Sequence, residues 1–382
     1  MDISLRLYSR ADGSLHPVLL RGGLPLVLPN LWADQLALTR RPNSVRAYLS
    51  DVLRLYRWAA VAGVDIYDSF TSQTGLRPSQ LQSLVTFTSS RSDGSDFAQS
   101  TISRQANSIC MFLQFVFDYR LSHQDLSLEQ LRKAERWQKT VISRLAKLFA
   151  VRAQRGAIAQ NALGLTKEEL EELDGILLPG SEQNPAKDEA LQLRNYCIWR
   201  LMLATGARRS ETVLLEIDDL QLGAKPTITF KRPTKNAANR RRDGASLKTQ
   251  QRTLPIPARL ARLLSDYLER ARPRYVQARR PSPAVFLSAR DGRRLAATTI
   301  NKMLAAASVR ATKNGLHPHR LRTTAMNALC DMVRDARGRL PDGFQDQLIY
   351  FAGWSASSKM PLLYTRESIS AALGRLLMSA SE

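Results

Sequence analysis

The sequence predicts a mainly helical α+β protein, in which a helical domain precedes a mixed domain with one small antiparallel sheet. Apolar residues recur at helical spacing over the first 150 residues. Two short strand-like segments occur only after residue 220, and helical spacing then returns as far as residue 352. With 382 residues, the chain is long enough for two domains of ordinary size.

The first residues predict an N-terminal arm over 1–35, followed by a helical domain over 36–153. The arm is interpreted as extended because Gly22, Gly23 and Pro25 interrupt any helical pattern. No strand pattern is recognised in this part of the chain, so the first domain is predicted to be entirely helical.

Three long helices are predicted in that domain. The first begins at Ser44, a candidate N-cap, and ends at Gly63. The others cover about 100–119 and 127–153. Arg46 lies on the polar face of the first helix and is interpreted as a DNA contact, with a solvated surface position as the alternative.

Glycine and proline residues then indicate a linker over 154–187, before a mixed domain over 188–382. Thr166 and Glu169 have the spacing of a capping box and predict one short helix inside the linker. The strands predicted for the mixed domain are at 227–230 and 252–256. Its first predicted helix is apolar over 191–203 and ends at 205–206, and further helices are predicted at about 258–272, 297–309, 320–337 and 343–352.

The charge of the chain points to a polyanionic partner. Lysine and arginine number 56 against 34 acidic residues, a net charge of +22. Such an excess causes self-repulsion, which binding to DNA or RNA would relieve. A loop between the two predicted strands concentrates this charge and is interpreted as a DNA-binding segment that comprises Lys231, Arg232, Lys235, Arg240, Arg241 and Arg242.

Other classes of protein are disfavoured. Three separated cysteines form no CxxC pair, which favours reduced thiols and a cytoplasmic protein. The four histidines do not cluster with cysteines or carboxylates, so neither a metal site nor a cofactor is expected. No apolar run approaches the roughly 18 residues of a membrane span, and no secretion signal is recognised.

The residues that suggest chemistry suit attack on a phosphodiester. Arginine holds two phosphate oxygens with one planar group, and Arg208 and Arg322 lie at a predicted helix end and a helix start. His319 precedes the second arginine by three residues, and Tyr364, a candidate nucleophile, follows Trp354 by ten residues.

These residues lie in three segments that resemble the motifs of the tyrosine recombinases, the phage integrase family. Residues 204–211 (ATGARRSE) resemble the first arginine box, 318–324 (PHRLRTT) the His-x-x-Arg box, and 351–364 (FAGWSASSKMPLLY) the closing box. The resemblance covers about 190–370, while about 40–150 resembles the core-binding domain of the family on architecture alone.

The resemblance implies a role for each residue. Arg208 and Arg322 would hold the scissile phosphate, His319 would assist proton transfer, and Trp354 would pack beside the phosphate. Tyr364 would attack phosphorus and form a 3′-phosphotyrosine with a free 5′-hydroxyl.

The family also has a lysine that protonates the leaving 5′-oxygen from a turn between two strands. Lys248 resembles this residue, and Lys235 and Lys231 remain alternatives. The chain departs from the usual motifs where Arg320 replaces an aspartate, Thr323 replaces a histidine and Trp354 replaces the commoner histidine. The segment between Trp354 and Tyr364 is one residue longer than the commonest spacing.

The resemblance therefore predicts a site-specific DNA recombinase or integrase, of the kind that serves mobile elements. It would act as a homo-tetramer on two sites in double-stranded DNA, without a cofactor, in the cytoplasm in association with the nucleoid. This prediction is compatible with an accessory protein that controls the direction of recombination. A type IB topoisomerase and a non-cleaving DNA-binding paralogue remain alternatives. A helix over 368–377 is expected to dock either within the chain or onto a neighbouring copy.

Overall fold

A computed structural model describes residues 2–10, 15–71, 76–155, 164–231, 249–277, 281–311, 315–333, 340–358 and 360–361. The chain forms two compact units, Met1–Gln160 and Asn161–Glu382. Each unit has its own core of buried apolar side chains. As predicted, the fold is mainly helical, although it contains two small antiparallel sheets.

The first unit opens with a sheet rather than with an extended arm. Strand β1 (Ile3–Ser9) pairs with β2 (Leu15–Arg21), which also pairs with β3 (Leu24–Pro25). Ile3 and Leu19 are buried in the core of the unit. The predictions of an extended arm and of a first domain without strands are therefore wrong, because Ile3, Leu5 and Leu7 alternate with polar residues in β1 and packing on the helices stabilises the hairpin.

Within the residues that the structure describes, the helices of the first unit are α1 (Val27–Thr39), α2 (Pro42–Ala62), α3 (Ile66–Thr71), α4 (Pro78–Ser89), α5 (Gln99–Leu121) and α6 (Leu128–Arg155). The three long helices predicted from the sequence correspond to α2, α5 and α6. Helix α2 ends at Gly63 as predicted, with a left-handed φ of 64°, but its N-cap is Arg41 rather than Ser44.

The second unit contains these elements in order: α7 (Lys167–Leu177), α8 (Glu189–Thr205), α9 (Arg209–Leu214), β4 (Leu220–Gln221), β5 (Thr227–Phe230), β6 (Arg252–Pro255), α10 (Ala258–Asp266), α11 (Ala297–Arg310), α12 (Pro318–Val333) and α13 (Phe344–Ala352). Helix α10 continues through a π turn and a 3-10 turn to Tyr275. Strands β4, β5 and β6 form an antiparallel sheet in that order.

Helix α7 begins at the capping box predicted from the sequence. The Glu169 backbone N–H donates to Thr166 Oγ1 at 3.2 Å, and the Thr166 N–H donates to Glu169 Oε2 at 3.0 Å. Leu173, Ile176 and Leu177 are buried in the core of the second unit. The second unit thus includes residues that the sequence assigned to the linker, because the apolar face of α7 packs on this core.

Helix α8 runs through the centre of the second unit and carries the chain to the candidate site. Its Cys197, Trp199 and Leu201 are fully buried. The helix ends at Gly206, which has a φ of 58°. A Cβ atom on Gly206 would lie 2.7 Å from the Met326 side chain, so both the conformation and the space require glycine. No helix among the described residues has the length and apolar character needed to cross a membrane.

Candidate functional site

Arg208 lies at the junction between α8 and α9. It is the N-cap residue of α9, and its backbone N–H donates to Glu211 Oε2 at 2.8 Å. Its guanidinium Nη1 lies 3.6 Å from Glu211 Oε1, and the side chain is 30% exposed. This buried Nη1 atom makes no hydrogen bond within the described part of the chain. The buried Nη1 atom thus lies beside Glu211, while the exposed part of the guanidinium is able to contact an anion.

Arg322 is buried in α12 and is oriented by backbone carbonyls. Its Nη1 donates to the Gly206 carbonyl at 2.7 Å, and its Nη2 donates to the Ala352 carbonyl at 2.8 Å. Its guanidinium carbon also lies 5.4 Å from the centre of the Trp354 ring. Arg322 thus joins the end of α8, the end of α13 and the tryptophan around one buried positive charge.

His319 lies in the first turn of α12 and its side chain is exposed. Partial burial and the positive charges of Arg322, His317 and Arg208 lower the pKa of His319. The His317 and His319 rings are nearly parallel, with centroids 6.5 Å apart. A lowered pKa favours a neutral imidazole at neutral pH, which is able to accept a proton.

Trp354 follows the tight turn that ends α13. Gly353 has a φ of 64°, and its carbonyl accepts a hydrogen bond of 3.0 Å from the Gln250 N–H. A Cβ atom on Gly353 would lie 2.6 Å from Arg252 Nη1. The Trp354 side chain is buried beside Met326 and Leu348. The turn therefore holds the indole next to Arg322.

A buried ion pair behind Arg208 was not recognised from the sequence. Arg252 Nη2 donates to Glu211 Oε2 at 3.1 Å, and both side chains are almost completely buried. Thr249 Oγ1 also donates to Glu211 Oε1, and Arg252 Nε donates to the Phe351 carbonyl at 2.8 Å. Burial raises the pKa of Glu211, but the Arg252 charge and the hydrogen bonds outweigh it and hold this pKa below its ordinary value.

One signal in the sequence points to this pair. In β6, Arg252 and Leu254 are buried while Thr253 and Pro255 are exposed. Arg252 therefore occupies an inward-facing position of an alternating strand, where a charged residue requires a buried carboxylate partner. Glu211 lies inside the segment that resembles the first arginine box, three residues after Arg208.

Several of the predicted site residues lie outside the described residues. They are Arg232, Lys235, Arg240, Arg241, Arg242, Lys248 and Tyr364. Lys231 is described, and its ammonium lies 2.8 Å from Asp219 Oδ1. A hydrogen bond with this carboxylate raises the pKa of Lys231.

The predicted contact in the first unit, Arg46, is exposed on α2. Two other arginines of this helix have structural partners. Arg54 Nε donates to the Thr88 carbonyl at 3.1 Å, and Arg57 Nη2 donates to the Ile3 carbonyl at 3.0 Å. Of these three arginines, Arg46 is therefore the one best placed to contact a ligand.

The site consists of cationic and hydrogen-bonding groups. Arg322 contacts Trp354, and the charges of Arg322 and Arg208 both act on His319. Among the described residues, no group of three or more His, Cys, Asp or Glu side chains is arranged to hold a metal ion. Such an arrangement suits the binding of a phosphate group.

Residues 165–338 match the model of the phage integrase family. This segment is therefore similar to the domains of that family. The segment includes Arg208, His319 and Arg322, whereas Trp354 and Tyr364 follow its last matched residue. The match begins at α7, in agreement with the burial of that helix in the second unit.

The chain is also similar to curated tyrosine recombinases. The chain is 30% identical over 161 residues to the tyrosine recombinase XerD of Mycobacterium tuberculosis. This alignment covers 42% of this chain and 47% of that relative. The chain is 29% identical over 154 residues to the tyrosine recombinase XerD of Mycobacterium leprae. This alignment covers 39% of this chain and 44% of that relative. The chain thus spans about half the length of the curated relatives it matches.

A solved structure shares the fold. It is the XerH site-specific recombinase bound to a palindromic difH substrate in a post-cleavage complex, with a TM-score of 0.55 and 16% sequence identity. The alignment covers 89% of this chain and 80% of that one. The predicted fold class, a mainly helical α+β fold, is confirmed.

Proposed function

We propose that this protein is a site-specific DNA recombinase that cleaves and rejoins double-stranded DNA through a 3′-phosphotyrosyl intermediate on Tyr364. The observation that carries the proposal is the convergence of Arg208, His319, Arg322 and Trp354 next to the junction of α8 and α9. A strand-cleaving enzyme needs such a cationic site to stabilise the negative charge of a pentacovalent phosphorus.

In the proposed reaction, the scissile phosphate binds between Arg208 and Arg322. Arg322 is pre-oriented by the Gly206 and Ala352 carbonyls, so its charge is in place before DNA binds. The indole N–H of Trp354 is a donor only, so its role is to hold a phosphate oxygen and not to accept a proton.

The proposed nucleophile is the Tyr364 hydroxyl. A phenol has an ordinary pKa of about 10, so it requires a base or a cationic environment to attack at neutral pH. His319, whose pKa is lowered, is the proposed acceptor of the phenolic proton. The new bond joins the tyrosine oxygen to phosphorus, and the bond from phosphorus to the 5′-oxygen breaks.

Lys248 is the proposed donor of the proton that the 5′-oxygen takes up. It immediately precedes Thr249, whose hydroxyl donates to Glu211, and Gln250, whose N–H donates to the Gly353 carbonyl. The two residues that follow Lys248 thus contact Glu211 and Gly353, which supports this role for Lys248. Lys231 is disfavoured because it forms an ion pair with Asp219.

The first test is trapping of the covalent intermediate. Nicked duplexes that tile the DNA on both sides of the encoding gene are incubated with the protein, and adducts are separated by denaturing electrophoresis. We expect an adduct with the wild type and none with Tyr364→Phe, which retains DNA binding. An adduct of equal yield with Tyr364→Phe would exclude this nucleophile. Relaxation of supercoiled DNA without any sequence preference would instead indicate a topoisomerase.

The second test concerns the general acid. A duplex with sulfur in place of the 5′-bridging oxygen has a leaving group with a pKa near that of a thiol, about 8.5, which needs little protonation. Lys248→Ala is expected to cleave this duplex at nearly the wild-type rate and the ordinary duplex slowly. Lys235→Ala is the matched control, and a sulfur-specific rescue of that variant would transfer the role to Lys235.

We further propose that the active form is a tetramer on two DNA sites, since strand exchange joins two cleaved duplexes. Light scattering of the protein mixed with a cleavable duplex measures the mass of the complex and so the number of protein copies in it. Truncation after Arg366 is expected to retain DNA binding and to reduce assembly. A truncated chain that assembles as well as the wild type would exclude a docking role for residues 368–377.

A further inference from the structure

The first turn of α12 is attached to the residues that lead into the second unit. Arg320 Nη2 donates to Glu169 Oε2 at 2.6 Å and to Glu169 Oε1 at 2.9 Å. Both side chains are 17% exposed, so this ion pair is well shielded from water. Glu169 is in turn fixed by the Thr166 N–H, as part of the capping box of α7.

A second contact lies one turn further along α12. The Leu165 N–H donates to Thr324 Oγ1 at 2.7 Å, in a buried position. Arg320 and Thr324 are four residues apart and therefore share one face of the helix. Gly164 also approaches this face closely, since a Cβ atom there would lie 3.0 Å from the Asn327 side chain. Residues 164–169 thus form a clamp along one side of α12.

The opposite side of α12 carries the residues of the candidate site. His319 and Arg322 are three residues apart and share a face. Arg322 is fixed by the Gly206 and Ala352 carbonyls, but no comparable contact is seen for the His319 side chain within the described part of the chain. The first turn of a helix lacks intrahelical partners for its N–H groups and frays easily, so the position of His319 depends on contacts from outside the helix.

We infer that Arg320 is a positioning residue, which pairs with Glu169 to hold the first turn of α12 and thereby sets the rate at which the site cleaves DNA. The inference rests on the proposed function. Position 320 is where the motif of the family usually has an aspartate, and an aspartate here would face Glu169 with a like charge. Arg320 and Glu169 instead form an oppositely charged pair.

The test compares Arg320→Gln, Glu169→Gln and the double variant in the full-length protein. Glutamine at 169 retains an acceptor for the Thr166 N–H but lacks the charge. Glu171→Gln is the matched control, because Glu171 lies on the same helix in an exposed pair, 4.0 Å from Lys167. The readouts are the single-turnover rate of adduct formation on a nicked duplex, the dissociation constant for that duplex, and hydrogen exchange of the amides of residues 322–325.

We expect each single variant to lower the cleavage rate about 10-fold, since a small misplacement of a catalytic group has effects of this size or larger. The double variant should also lose about 10-fold rather than 100-fold, because the two residues act as one unit. Binding should change less than about twofold, and the amides of 322–325 should exchange faster. Wild-type rates in both single variants, multiplicative losses in the double variant, or unchanged exchange would each overturn the inference. If the wild type forms no adduct, the proposed function fails, and the exchange measurement still decides whether the pair holds the helix.

Discussion

Replacement of Arg252 by methionine should lower the free energy of unfolding of the second unit by about 3–5 kcal/mol, the usual effect of removing one partner of a buried ion pair. The buried guanidinium donates to Glu211 at 3.1 and 3.4 Å, to the Phe351 carbonyl at 2.8 Å and to Thr249 at 3.3 Å. It also stacks on Phe230, at 4.5 Å from the ring centre. Methionine would preserve part of the packing and none of the hydrogen bonds.

The magnitude follows from the carboxylate that would remain. Glu211 would keep the Arg208 N–H at 2.8 Å, the Thr249 hydroxyl and the partly exposed Arg208 guanidinium at 3.6 Å, but it would lose its almost completely buried positive partner. Because Glu211 is buried, water would not replace the guanidinium. Whole domains are stable by only about 5–15 kcal/mol, so the loss is a large fraction of the total. The double variant Arg252→Met, Glu211→Leu should recover at least about 1 kcal/mol, since no isolated charge remains.

The assay is native-state hydrogen exchange, because a chain with two units does not guarantee two-state unfolding. Peptides from α8 and α12 report on the second unit, and peptides from α2 are the internal reference. Arg294→Met is the matched control, since Arg294 and Glu216 form another shielded pair, at 2.7 Å and with exposures of 7% and 10%. Both variants should be less stable, but Arg252→Met should lower DNA cleavage more at equal stability. A loss below about 1 kcal/mol for Arg252→Met would refute the reasoning.

Three further predictions concern the same region. Gly353→Ala should destabilise the second unit by about 2 kcal/mol or more in thermal denaturation, because the energetic costs of a left-handed conformation and of a 2.6 Å contact between the new Cβ atom and Arg252 add together. Gly63 is the control, since it has the same φ but open space where a new Cβ atom would lie. An equally large loss of stability in Gly63→Ala would contradict the steric argument. The pKa of Glu211 is below its ordinary value, so the stabilising contribution of this carboxylate is complete above about pH 4.3 and is lost as the pH falls. The free energy of unfolding of Glu211→Gln should therefore depend less on pH between 5 and 3 than that of the wild type. Equal slopes of stability against pH in the two proteins would exclude the effect. The pKa of His319 is lowered by burial and by positive neighbours, and a bound phosphate should raise it. DNA affinity, measured by fluorescence anisotropy, should therefore rise as the pH falls from 8 to 6. The same dependence of affinity on pH in His319→Gln would show that another group takes up the proton on binding.

Helices of both units were predictable because their signals are local. A capping box at Thr166 and Glu169, and glycine at the ends of α2 and α8, mark boundaries within a few residues of where the structure has them. The hairpin of β1 and β2 was missed because its stability comes from the burial of Ile3 and Leu19 on helices distant in sequence.

The sequence by itself determined the mainly helical fold, the positions of the long helices and of strands β5 and β6, and the three motif segments, since these depend on periodicity, caps and spacing along the chain. Only the tertiary structure decided which arginines are available to a ligand. Arg54, Arg57 and Arg252 are engaged by carbonyls or a buried carboxylate, whereas the side chain of Arg208 is 30% exposed. These partners are 34 to 99 residues apart in sequence. Contacts at such separations arise from packing of the whole unit, so local patterns do not encode them.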